Sequence, residues 1–413
     1  MVLRNQNIKG GRLDLSTPSF TDETHYLSRI RRAAPQAGDL VITREAPMGE
    51  VCQIPAGLKC CLGQRQVLLR PDPAKVDGRF LLYALQSPYL QHQIGWNEGT
   101  GSTVSNLRIP VLEALRVPTP DLAVQREIAQ TLGAIDDRIT LLRETNATLE
   151  AIAQALFKSW FVDFDPVRAK MAGRAPEGMG DVMAALFPDA LEETELGLAP
   201  KGWVVQRLGD VVERVTKGTT PTTLKRPFVD SGINFVKAES MTGDGDFIPE
   251  KFAFIDSETH ELLKRSQLKT GDVLISIAGT IGRTAIVTKD FLPANTNQAV
   301  AIVRPIADGI PGGLIVRYLN RADSKQLLGE RVVQAVQANL SLGTLSDLKL
   351  VLPDSDLIRH LFQIAFEPID LAVNANRQKA RTLATLRDTL LPRLISGQVR
   401  LPEAQAQLEA HLS

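Results

Sequence analysis

The sequence predicts an α+β protein in which two mixed α/β domains are joined by two long antiparallel coiled-coil helices. Two observations support this fold class: a stripe of apolar residues at coiled-coil spacing occurs twice, and one unit of more than a hundred residues is repeated in the same order. The 413 residues suffice for two or three domains with their own cores. A duplication folded about a pseudo-two-fold axis makes the equivalent helices run antiparallel.

The repeat is visible in short strings of the sequence. Ala37-Gly-Asp-Leu-Val-Ile42 returns as Thr270-Gly-Asp-Val-Leu-Ile275, and Gly49 returns as Gly282 at the same spacing. The other matches keep this order: Asp22–His25 with Ser257–His260, Gln64 with Gln298, Arg70-Pro71 with Arg304-Pro305, and Asn106-Leu107 with Asn339-Leu340. Chance similarity would not keep register over this length, so the chain contains one unit written twice.

Each copy predicts strands first and helices afterwards. Leu40–Thr43 and Val273–Ser276 are apolar runs that follow a Gly-Asp turn and precede glycines, which is typical of strands. Helical spacing appears where apolar residues recur every three to four positions. The further predicted elements are strands at 66–70 and 299–304, helices at 80–90 and 313–328, and short helices at 122–132 and 357–366 before the long ones.

The two long helices are predicted by their apolar stripes. A single stripe is more often ordinary helix core, but here it ends each copy of the repeat, which favours a packed pair of helices. We expect Leu142, Leu149, Leu383 and Leu390 to form a dry seam. Asn146, Asn376 and Arg387 either face water or fix the register of the pair. The stripes are Ile135, Ile139, Leu142, Asn146, Leu149, Ala153, Leu156 and Trp160, then Ile369, Val373, Asn376, Ala380, Leu383, Arg387, Leu390 and Leu394.

Prolines and a shift in composition give the predicted boundaries. Pro118, Pro120 and Pro353 separate the mixed domains from the helices, and Asp163-Phe-Asp-Pro166 stops the first long helix. A segment rich in glycine, proline and acids follows, with a short helix near Val182–Leu186. The predicted parts are a first domain at 1–120, a helical spacer at 121–165, a linker at 166–200, a second domain at 201–353, a second spacer at 354–399 and a tail at 400–413.

Composition and motifs argue against several classes of protein. The three cysteines lack metal-ligand spacing, and neither a phosphate-binding GxxxxGK[ST] loop nor a GxSxG serine motif is present. The glycine run at Gly99 has no lysine and predicts a plain loop. No segment is predicted to cross a membrane or to direct export, so a cytoplasmic protein is expected. Net charge is zero, yet the segment from Lys201 to Lys237 contains seven basic residues and only three acids. This local excess of positive charge is either a solvated surface or a nucleic-acid-binding face.

Four strings carry a resemblance to a known family: Phe157-Lys-Ser-Trp-Phe-Val-Asp-Phe-Asp-Pro166, Glu195-Leu-Gly-Leu-Ala-Pro-Lys-Gly-Trp203, Arg207-Leu-Gly-Asp210 and Lys217-Gly-Thr-Thr-Pro221. Together with the duplication they closely resemble the specificity subunit of type I restriction-modification systems, over about Val2 to Leu401. The resemblance implies two target recognition domains, each reading half of a bipartite site in double-stranded DNA. It implies that the two spacers dock two methylation subunits, and that restriction and translocation subunits complete the complex.

The resemblance also implies that the chain catalyses nothing and holds no cofactor or metal. S-adenosylmethionine, ATP and Mg are expected on the partner subunits. Roughly 25 helical residues at ~1.5 Å each span about 40 Å, close to the ~34 Å between successive major-groove faces of a duplex. The helices would then act as a ruler between the half-sites.

The candidate DNA contacts are polar side chains on the predicted loops and strand ends. Long polar side chains can reach base edges, whereas lysine and arginine bind phosphates and set register. Each of these residues could equally be a solvated side chain. In the second domain they are Thr280, Arg283, Asn295, Asn297 and Gln298 for bases and Lys217, Lys225, Arg226 and Lys237 for phosphates; in the first they are Arg44, Gln64 and Arg65 with the basic Arg4, Lys9 and Arg12.

The first domain departs from the family at its start. The second copy opens with the segment from Trp203 to Pro221, and the same offset would place its counterpart before Met1. We expect either that translation starts upstream or that the second domain alone reads DNA well, since an unpaired sheet edge is a liability. The rival interpretation is a coiled-coil scaffold that binds only protein. A nuclease is disfavoured because Asp347-Leu-Lys349 is an isolated fragment.

Overall fold

The computed structural model describes residues 1–95, 106–333 and 339–412, so the glycine run at Gly99 lies outside the described residues. The chain divides into two compact units. Unit 1 comprises residues 1–144 and 378–413, and unit 2 comprises residues 145–377. Each of the two long helices contributes residues to both units.

The first copy of the repeat carries short strands followed by helices. Its elements are β1 (Val2–Leu3), β2 (Ile8–Lys9), β3 (Arg12–Leu13), α1 (Glu23–Arg29), β4 (Leu40–Thr43), β5 (Val51–Gln53), β6 (Cys61–Leu62), β7 (Gln66–Leu69), α2 (Gly78–Gln86), α3 (Pro88–Gly95), α4 (Ile109–Glu113) and the long helix α5 (Leu122–Phe161).

The second half follows the same plan after an intervening segment. Its elements are α6 (Asp165–Met171), α7 (Asp181–Ala184), β8 (Leu191–Thr194), β9 (Gly197–Pro200), β10 (Val204–Arg207), β11 (Val212–Lys217), β12 (Ile233–Val236), β13 (Ala253–Ile255), α8 (Ser257–Leu262), β14 (Val273–Ser276), β15 (Thr284–Ile286), β16 (Ala294–Thr296), β17 (Val300–Pro305), α9 (Gly312–Asn320), α10 (Ala322–Val333), α11 (Leu342–Ser346), β18 (Lys349–Leu352), α12 (Ser355–Ala365), α13 (Glu367–Ile395) and α14 (Leu401–Leu412).

Strand pairing confirms the internal repeat. In unit 1, β4 pairs antiparallel with β5 and β7, while β1 pairs parallel with β6. In unit 2, β14 pairs antiparallel with β15 and β17, and β12 pairs parallel with β16. The two copies therefore share these central strand pairings in the same order.

One ion pair occurs in both copies as well. Arg70 binds the carboxylate of Asp39 through two guanidinium nitrogens at 2.8 and 2.7 Å, and Arg304 binds Asp272 in the same way at 2.7 and 2.6 Å. The hydrogen bond from Arg70 keeps the pKa of Asp39 below its usual value despite burial. An aspartate that follows a glycine turn thus forms the same two-bond ion pair with an arginine at a strand end in each copy. The pair is buried in unit 2, whereas the Arg70 side chain in unit 1 is 47% exposed.

The sheet edges differ between the units. In unit 2, β11 pairs antiparallel with β17, and β10 pairs with β18. Among the described residues of unit 1, β7 pairs only with β4, and residues 115–118 form no strand. Accordingly, β7 is only partly covered where β17 is almost entirely buried.

Two predicted helices are each interrupted. The helix predicted at 80–90 is divided into α2 and α3 at Ser87, whose backbone is extended because Pro88 follows it. The helix predicted at 313–328 is divided into α9 and α10 at Arg321, which is also extended and whose guanidinium binds Asp323 in the first turn of α10. Periodicity alone did not reveal either break.

The two copies differ in how the long helix begins. The second copy has the predicted short helix α12 before α13, with the break at Phe366, two residues before Pro368. In the first copy the expected break is absent and α5 runs without interruption over 40 residues. A proline lacks the backbone N–H that a continuous helix needs, and α5 has no proline in this region.

The segment predicted as a linker is folded in unit 2. Residues 166–200 contain most of α6, the short helix α7 and the hairpin β8–β9. Phe187 and Ala199 of this segment are buried beside Trp160, Phe161 and Trp203. The aromatic string of the first long helix therefore forms core rather than a surface motif, with the Trp160 and Phe187 rings 5.4 Å apart.

The long helices pack antiparallel within each unit. In unit 1, Ile135, Ile139 and Leu142 of α5 share a buried cluster with Leu383, Leu390 and Leu394 of α13, which lie at most 5% exposed. In unit 2, Asn146 contacts Val373, and Trp160, further along α5, contacts Phe366 just before α13. Later residues of α5 thus meet earlier residues of the second helix, so the two helices run antiparallel. Leu156 is half-buried against the core, and Val373 is 5% exposed.

Leu149 does not meet the expectation of a dry seam position. Its side chain is half-buried and belongs to none of the described buried clusters, because the neighbouring contact between the helices is polar, at Asn146 and Asn376. Those two residues and Arg387 do not simply face water. Arg387 binds Asp136 at 2.8 Å, so all three polar stripe positions have partners on the other helix.

Candidate nucleic-acid interface

Three strand ends of unit 2 meet at one place. Lys217, the last residue of β11, pairs with Ala301, while Val236 pairs with Thr296 in the parallel pair β12–β16. Lys237 and Asn297 therefore leave neighbouring strands side by side, because carboxyl ends of parallel strands share an edge. We call this group the unit 2 rim; it consists of Lys217, Thr220, Lys237, Asn297 and Gln298.

The loop after β11 is held tightly against β16. Thr219 donates its backbone N–H to the carbonyl oxygen of Thr296 at 3.1 Å. A Cβ atom at Gly218 would overlap that same carbonyl group, so glycine is required for the close approach. The string Lys217-Gly-Thr-Thr thus serves to bring Lys217 and Thr220 to the end of β16.

The rim side chains keep polar atoms at the surface. Gln298 is exposed, and its side-chain carbonyl accepts a hydrogen bond from the Thr220 hydroxyl. The ammonium group of Lys237 lies 5.1 Å above the ring of Phe228 and 3.7 Å from Glu239. Asn297 shapes the turn by accepting from the N–H of Ala299 at 3.2 Å. An amide and two lysines in one rim are suited to a base edge and its neighbouring phosphates.

The remaining unit 2 candidates have different surroundings. Lys225 is exposed at a left-handed backbone position with φ of 57°. Arg226 binds the carboxylate of Glu258 with both terminal nitrogens. Hydrogen bonding to Glu258 raises the pKa of Arg226. Thr280 is exposed, whereas Arg283 donates to the carbonyl oxygen of Met241 at 2.8 Å. Lys225 and Thr280 are therefore available to a ligand, while the two arginines also hold loops.

Asn295 is a correction to the sequence-based candidates. Its side chain is 0% exposed, its amide donates to Leu263 and Ser266 at 3.1 and 3.0 Å, and its carbonyl oxygen lies 2.5 Å from Nδ1 of His260. Within β16 the neighbouring Thr296 is buried as well. Asn295 stabilises the fold, and its geometry leaves no polar atom for a base.

In unit 1 the corresponding strand ends line an open groove of about 650 Å³. Arg4 follows β1 and Gln64 follows β6, which are the positions that Lys237 and Gln298 occupy after β12 and β16. Arg65 lies beside them with its Nε 3.4 Å from a carboxylate oxygen of Glu45, and 63% of its side chain is exposed. Two arginines and a glutamine thus form the unit 1 rim, defined as Arg4, Gln64 and Arg65.

The structure adds groove residues that the sequence did not indicate. Gln6, Phe20 and Arg29 line the same groove, and Phe20 is 73% exposed. No sequence signal pointed to Arg29, because it lies in none of the motifs or strand ends that the sequence indicated. The groove therefore contains three arginines, a charge suited to the phosphate backbone.

Two other unit 1 candidates serve the fold. Arg44 donates to the carbonyl oxygen of Leu107 at 2.8 Å and to the side chain of Asn106 at 3.0 Å. Arg12 binds Asp136 of α5 at 3.1 Å, whereas Lys9 is exposed. Arg44 and Arg12 therefore connect loops and helices rather than facing the groove.

Loop geometry is the same in both copies next to the rims. The hydroxyl group of Thr43 donates to Pro47 at 2.7 Å and accepts from the N–H of Glu50 at 3.0 Å; the hydroxyl of Ser276 does the same with Thr280 and Arg283 at 2.5 and 2.9 Å. Each strand-end hydroxyl thus fixes the following glycine loop.

A known protein family matches both copies of the repeat that carry these rims. The family described as "Type I restriction modification DNA specificity domain" matches residues 5–151 and 200–358, one match for each copy of the repeat. The chain belongs to this family. It is a non-catalytic DNA-recognition subunit of a type I restriction-modification system.

Members of the type I specificity family are similar over most of their length. The chain is 26% identical over 340 residues to the type I restriction enzyme HindI specificity subunit of Haemophilus influenzae, covering 73% of each protein. It is 26% identical over 376 residues to the MjaIX specificity subunit of Methanocaldococcus jannaschii, covering 89% of this chain and 78% of that protein.

Solved structures of the same family are more distant. A type I restriction-modification S subunit from M. genitalium has a TM-score of 0.48 and 17% identity, covering 95% of this chain and 91% of that one. The HsdS subunit from Thermoanaerobacter tengcongensis has a TM-score of 0.33 and 18% identity, covering 94% and 85%.

No group of three or more histidines, cysteines or acids in residues 1–95, 106–333 and 339–412 is arranged to hold a metal ion. Over the same residues, no helix is both long and apolar enough to cross a membrane. The three cysteines are buried thiols, and burial raises the pKa of Cys52 to about 12 and of Cys60 to about 11.

Proposed function

We propose that this subunit recognises a bipartite site in double-stranded DNA, with residues 1–120 and 201–353 as two target recognition domains. The observation that carries the proposal is the duplication of the rim. Arg4 and Gln64 leave the strand ends of unit 1 as Lys237 and Gln298 leave those of unit 2. Two equivalent polar surfaces on one chain suit two separate half-sites.

In each proposed recognition domain, we assign different roles to the side-chain amides and the charged groups. Gln64 and Gln298 are exposed and can donate to and accept from one base edge, as adenine recognition requires. Lys217, Lys225 and Lys237, with Arg4, Arg29 and Arg65, supply the charge for phosphates. Asn297 after β16 and the exposed Thr280 after β14 are further candidates for base contacts. Arg226 and Arg283 support the loops by their contacts with Glu258 and Met241.

Residues 121–165 and 354–399 are proposed as the spacers that set the number of base pairs between half-sites, with 166–200 as the intervening segment and 400–413 as the tail. The helix α5 has 40 residues, and at ~1.5 Å per residue it is about 60 Å long. That length exceeds the ~34 Å of one duplex turn. The helices are therefore long enough to act as a ruler.

The partners follow from the proposed assembly. The spacers dock two methylation subunits that carry S-adenosylmethionine, and restriction and translocation subunits bring ATP and Mg. The chain itself would hold no cofactor, and the complex would work in the cytoplasm.

The test is reconstitution of this chain with its methylation subunit. Methylated adenines mapped over the host genome should define one split motif, and a duplex carrying that motif should bind more tightly than one lacking either half. Binding that requires only one half, or equal binding to all sequences, would contradict a bipartite site. A complex that binds its protein partner but retains no DNA would favour the scaffold alternative.

A further inference from the structure

Arg377 on α13 contacts both the other long helix and the second mixed domain within unit 2. Its Nη2 lies 2.7 Å from Oε1 of Glu150 on α5 and 2.5 Å from the carbonyl oxygen of Asp244. Its Nη1 donates to the carbonyl oxygen of Gly245 at 3.2 Å, and its side chain is 16% exposed. One guanidinium group thus joins two helices to a turn of the sheet domain.

The turn that Arg377 contacts is itself rigidly built. Thr242 and Asp246 close it with two backbone-directed bonds of 2.9 and 2.8 Å, and Met241 and Phe247 on either side are buried in the core of the sheet domain. Gly245 has a φ of 83°, a conformation that glycine adopts without strain. A displacement of the turn would therefore move the sheet with it.

The turn also lies close to the rim along the chain. Lys237 of the rim is followed by one short 3-10 helix, Ala238–Ser240, and then by Met241. The carbonyl oxygen of Met241 accepts a hydrogen bond from Arg283 in the glycine loop. The segment 237–245 therefore connects the Arg377 contact both to Lys237 of the rim and to the loop that carries Arg283.

The helix side of the contact is fixed by the adjacent residue of α13 and by a second residue about two turns before it. Asn376 and Asn146 are hydrogen-bonded to each other at 2.9 Å, and Arg317 of α9 binds Asp370 of α13 at 2.6 Å. Since these contacts fix α13 against α5 and α9, the backbone that carries Arg377 is held in place relative to the second mixed domain.

We infer that Arg377 is a positioning residue that fixes the angle of the second recognition domain on the long helices, and thereby the spacer length that the complex accepts. The inference rests on the proposed bipartite function. A guanidinium group suits this task because its planar donors can bind two carbonyl groups and a carboxylate at once, which an ammonium group does with less directional control.

The experiment uses the reconstituted complex with the methylation subunit and duplexes that carry both half-sites separated by n − 1, n or n + 1 base pairs. The variants are Arg377→Ala and Arg377→Lys, with Lys379→Ala as the control because Lys379 is exposed on the same helix. We expect Arg377→Ala to lower the preference for n over n ± 1 about tenfold, the factor that corresponds to 1.4 kcal/mol. Base preference within each half-site should stay as in the unaltered chain.

Arg377→Lys keeps the charge and the fold, so it tests the geometry if the alanine variant unfolds. It should relax the spacer preference in the same direction, while Lys379→Ala should leave it unchanged. An unchanged preference in Arg377→Lys, or an equal loss of methylation at all three spacer lengths, would overturn the inference. If the unaltered complex needs no second half-site, the proposed function fails first and the inference fails with it.

Discussion

Asn376 donates a hydrogen bond from its side-chain amide to the side-chain carbonyl of Asn146, over 2.9 Å between the two long helices of unit 2. Asn146 is 8% exposed and donates its own amide to the backbone carbonyl of Val373 at 3.1 Å. A buried polar pair at stripe positions of a helix pair usually fixes register at a cost in stability.

Replacement of one asparagine should therefore cost more than replacement of both. Asn146→Leu leaves the Asn376 amide without its acceptor, which we expect to lower the free energy of unfolding by about 1 to 3 kcal/mol. The double variant Asn146→Leu with Asn376→Leu should recover most of that loss. Urea unfolding of the two single variants and the double variant measures the coupling, and additive losses would argue against a paired role.

A second polar contact concerns Asp136 in unit 1. Its carboxylate accepts from Arg387 at 2.8 Å, Arg12 at 3.1 Å and the hydroxyl of Tyr83 at 2.7 Å. Burial acts to raise the pKa of Asp136, but the charge and hydrogen bond of Arg387, with help from Tyr83 and Arg12, lower it below the ordinary value. Asp136→Asn should cost about 2 kcal/mol at neutral pH, since it removes the carboxylate that Arg387 and Arg12 share and leaves Arg387 with Asp388 alone as its counter-charge.

The pH dependence of this contribution has a definite sign. The folded-state pKa of Asp136 lies below the ordinary value of 3.8, so the stabilisation is present above that pH and is lost as pH falls through the folded pKa. Unfolding of the unaltered chain and of Asp136→Asn should therefore converge in acid. Asp137→Asn is the matched control, because the Asp137 side chain is 69% exposed. A constant difference between the proteins down to the lowest pH would disprove the assigned shift.

Much of the fold was predictable because it depends on local pattern. The strand Leu40–Thr43 and its repeat Val273–Ser276 have the predicted bounds, since an apolar run between a Gly-Asp turn and a glycine loop has few alternatives. Apolar stripes located the long helices for the same reason. What periodicity missed were interruptions that depend on one residue, such as the extended backbone at Ser87 before Pro88.

The candidate site was less predictable because it depends on strand pairing. Asn295 and Asn297 lie two residues apart in one polar string, yet the first is buried between Leu263, Ser266 and His260, while the second leaves the sheet at the rim. Asp136 gave no signal either, since it is a single charge outside the apolar stripe. Its role becomes visible only when Arg387 is brought to it from a distant part of the sequence.

The apolar seam of unit 1 gives a contrast between two leucines. Leu390 is 0% exposed in a cluster shared by both long helices, whereas Leu149 in unit 2 is half-buried. Leu390→Asp places an unpaired charge in that cluster and should cost about 3 to 5 kcal/mol. Leu149→Asp should cost about 1 kcal/mol, close to the average for a point mutation. Equal losses in chemical unfolding would contradict this account of the seam.

Gly218 offers a test of how the unit 2 rim is built. A Cβ at this position overlaps the backbone carbonyl of Thr296, so Gly218→Ala must push the loop that carries Lys217 and Thr220 away from β16. We expect weaker binding of one half-site with the other half-site unaffected, measured on duplexes mutated in either half. Gly243→Ala is the control, because nothing lies within 4 Å of its added Cβ. Equal behaviour of the two variants would show that the loop position is unimportant.

Candidate residues for base contacts and for phosphate contacts should separate by function. Gln298 is exposed at the end of β16, and its side-chain carbonyl already accepts from Thr220, which orients the amide donor outward. Gln298→Ala should therefore relax base preference in one half-site, by about 1 to 3 kcal/mol of discrimination. Lys225→Ala should instead weaken binding to all sequences and lower the slope of log K against log salt by about one, as expected for one lost phosphate contact. Both quantities come from titrations of matched and singly mismatched duplexes at several salt concentrations. A uniform loss of affinity for both variants would remove Gln298 from the base-reading group and leave it as a further phosphate contact.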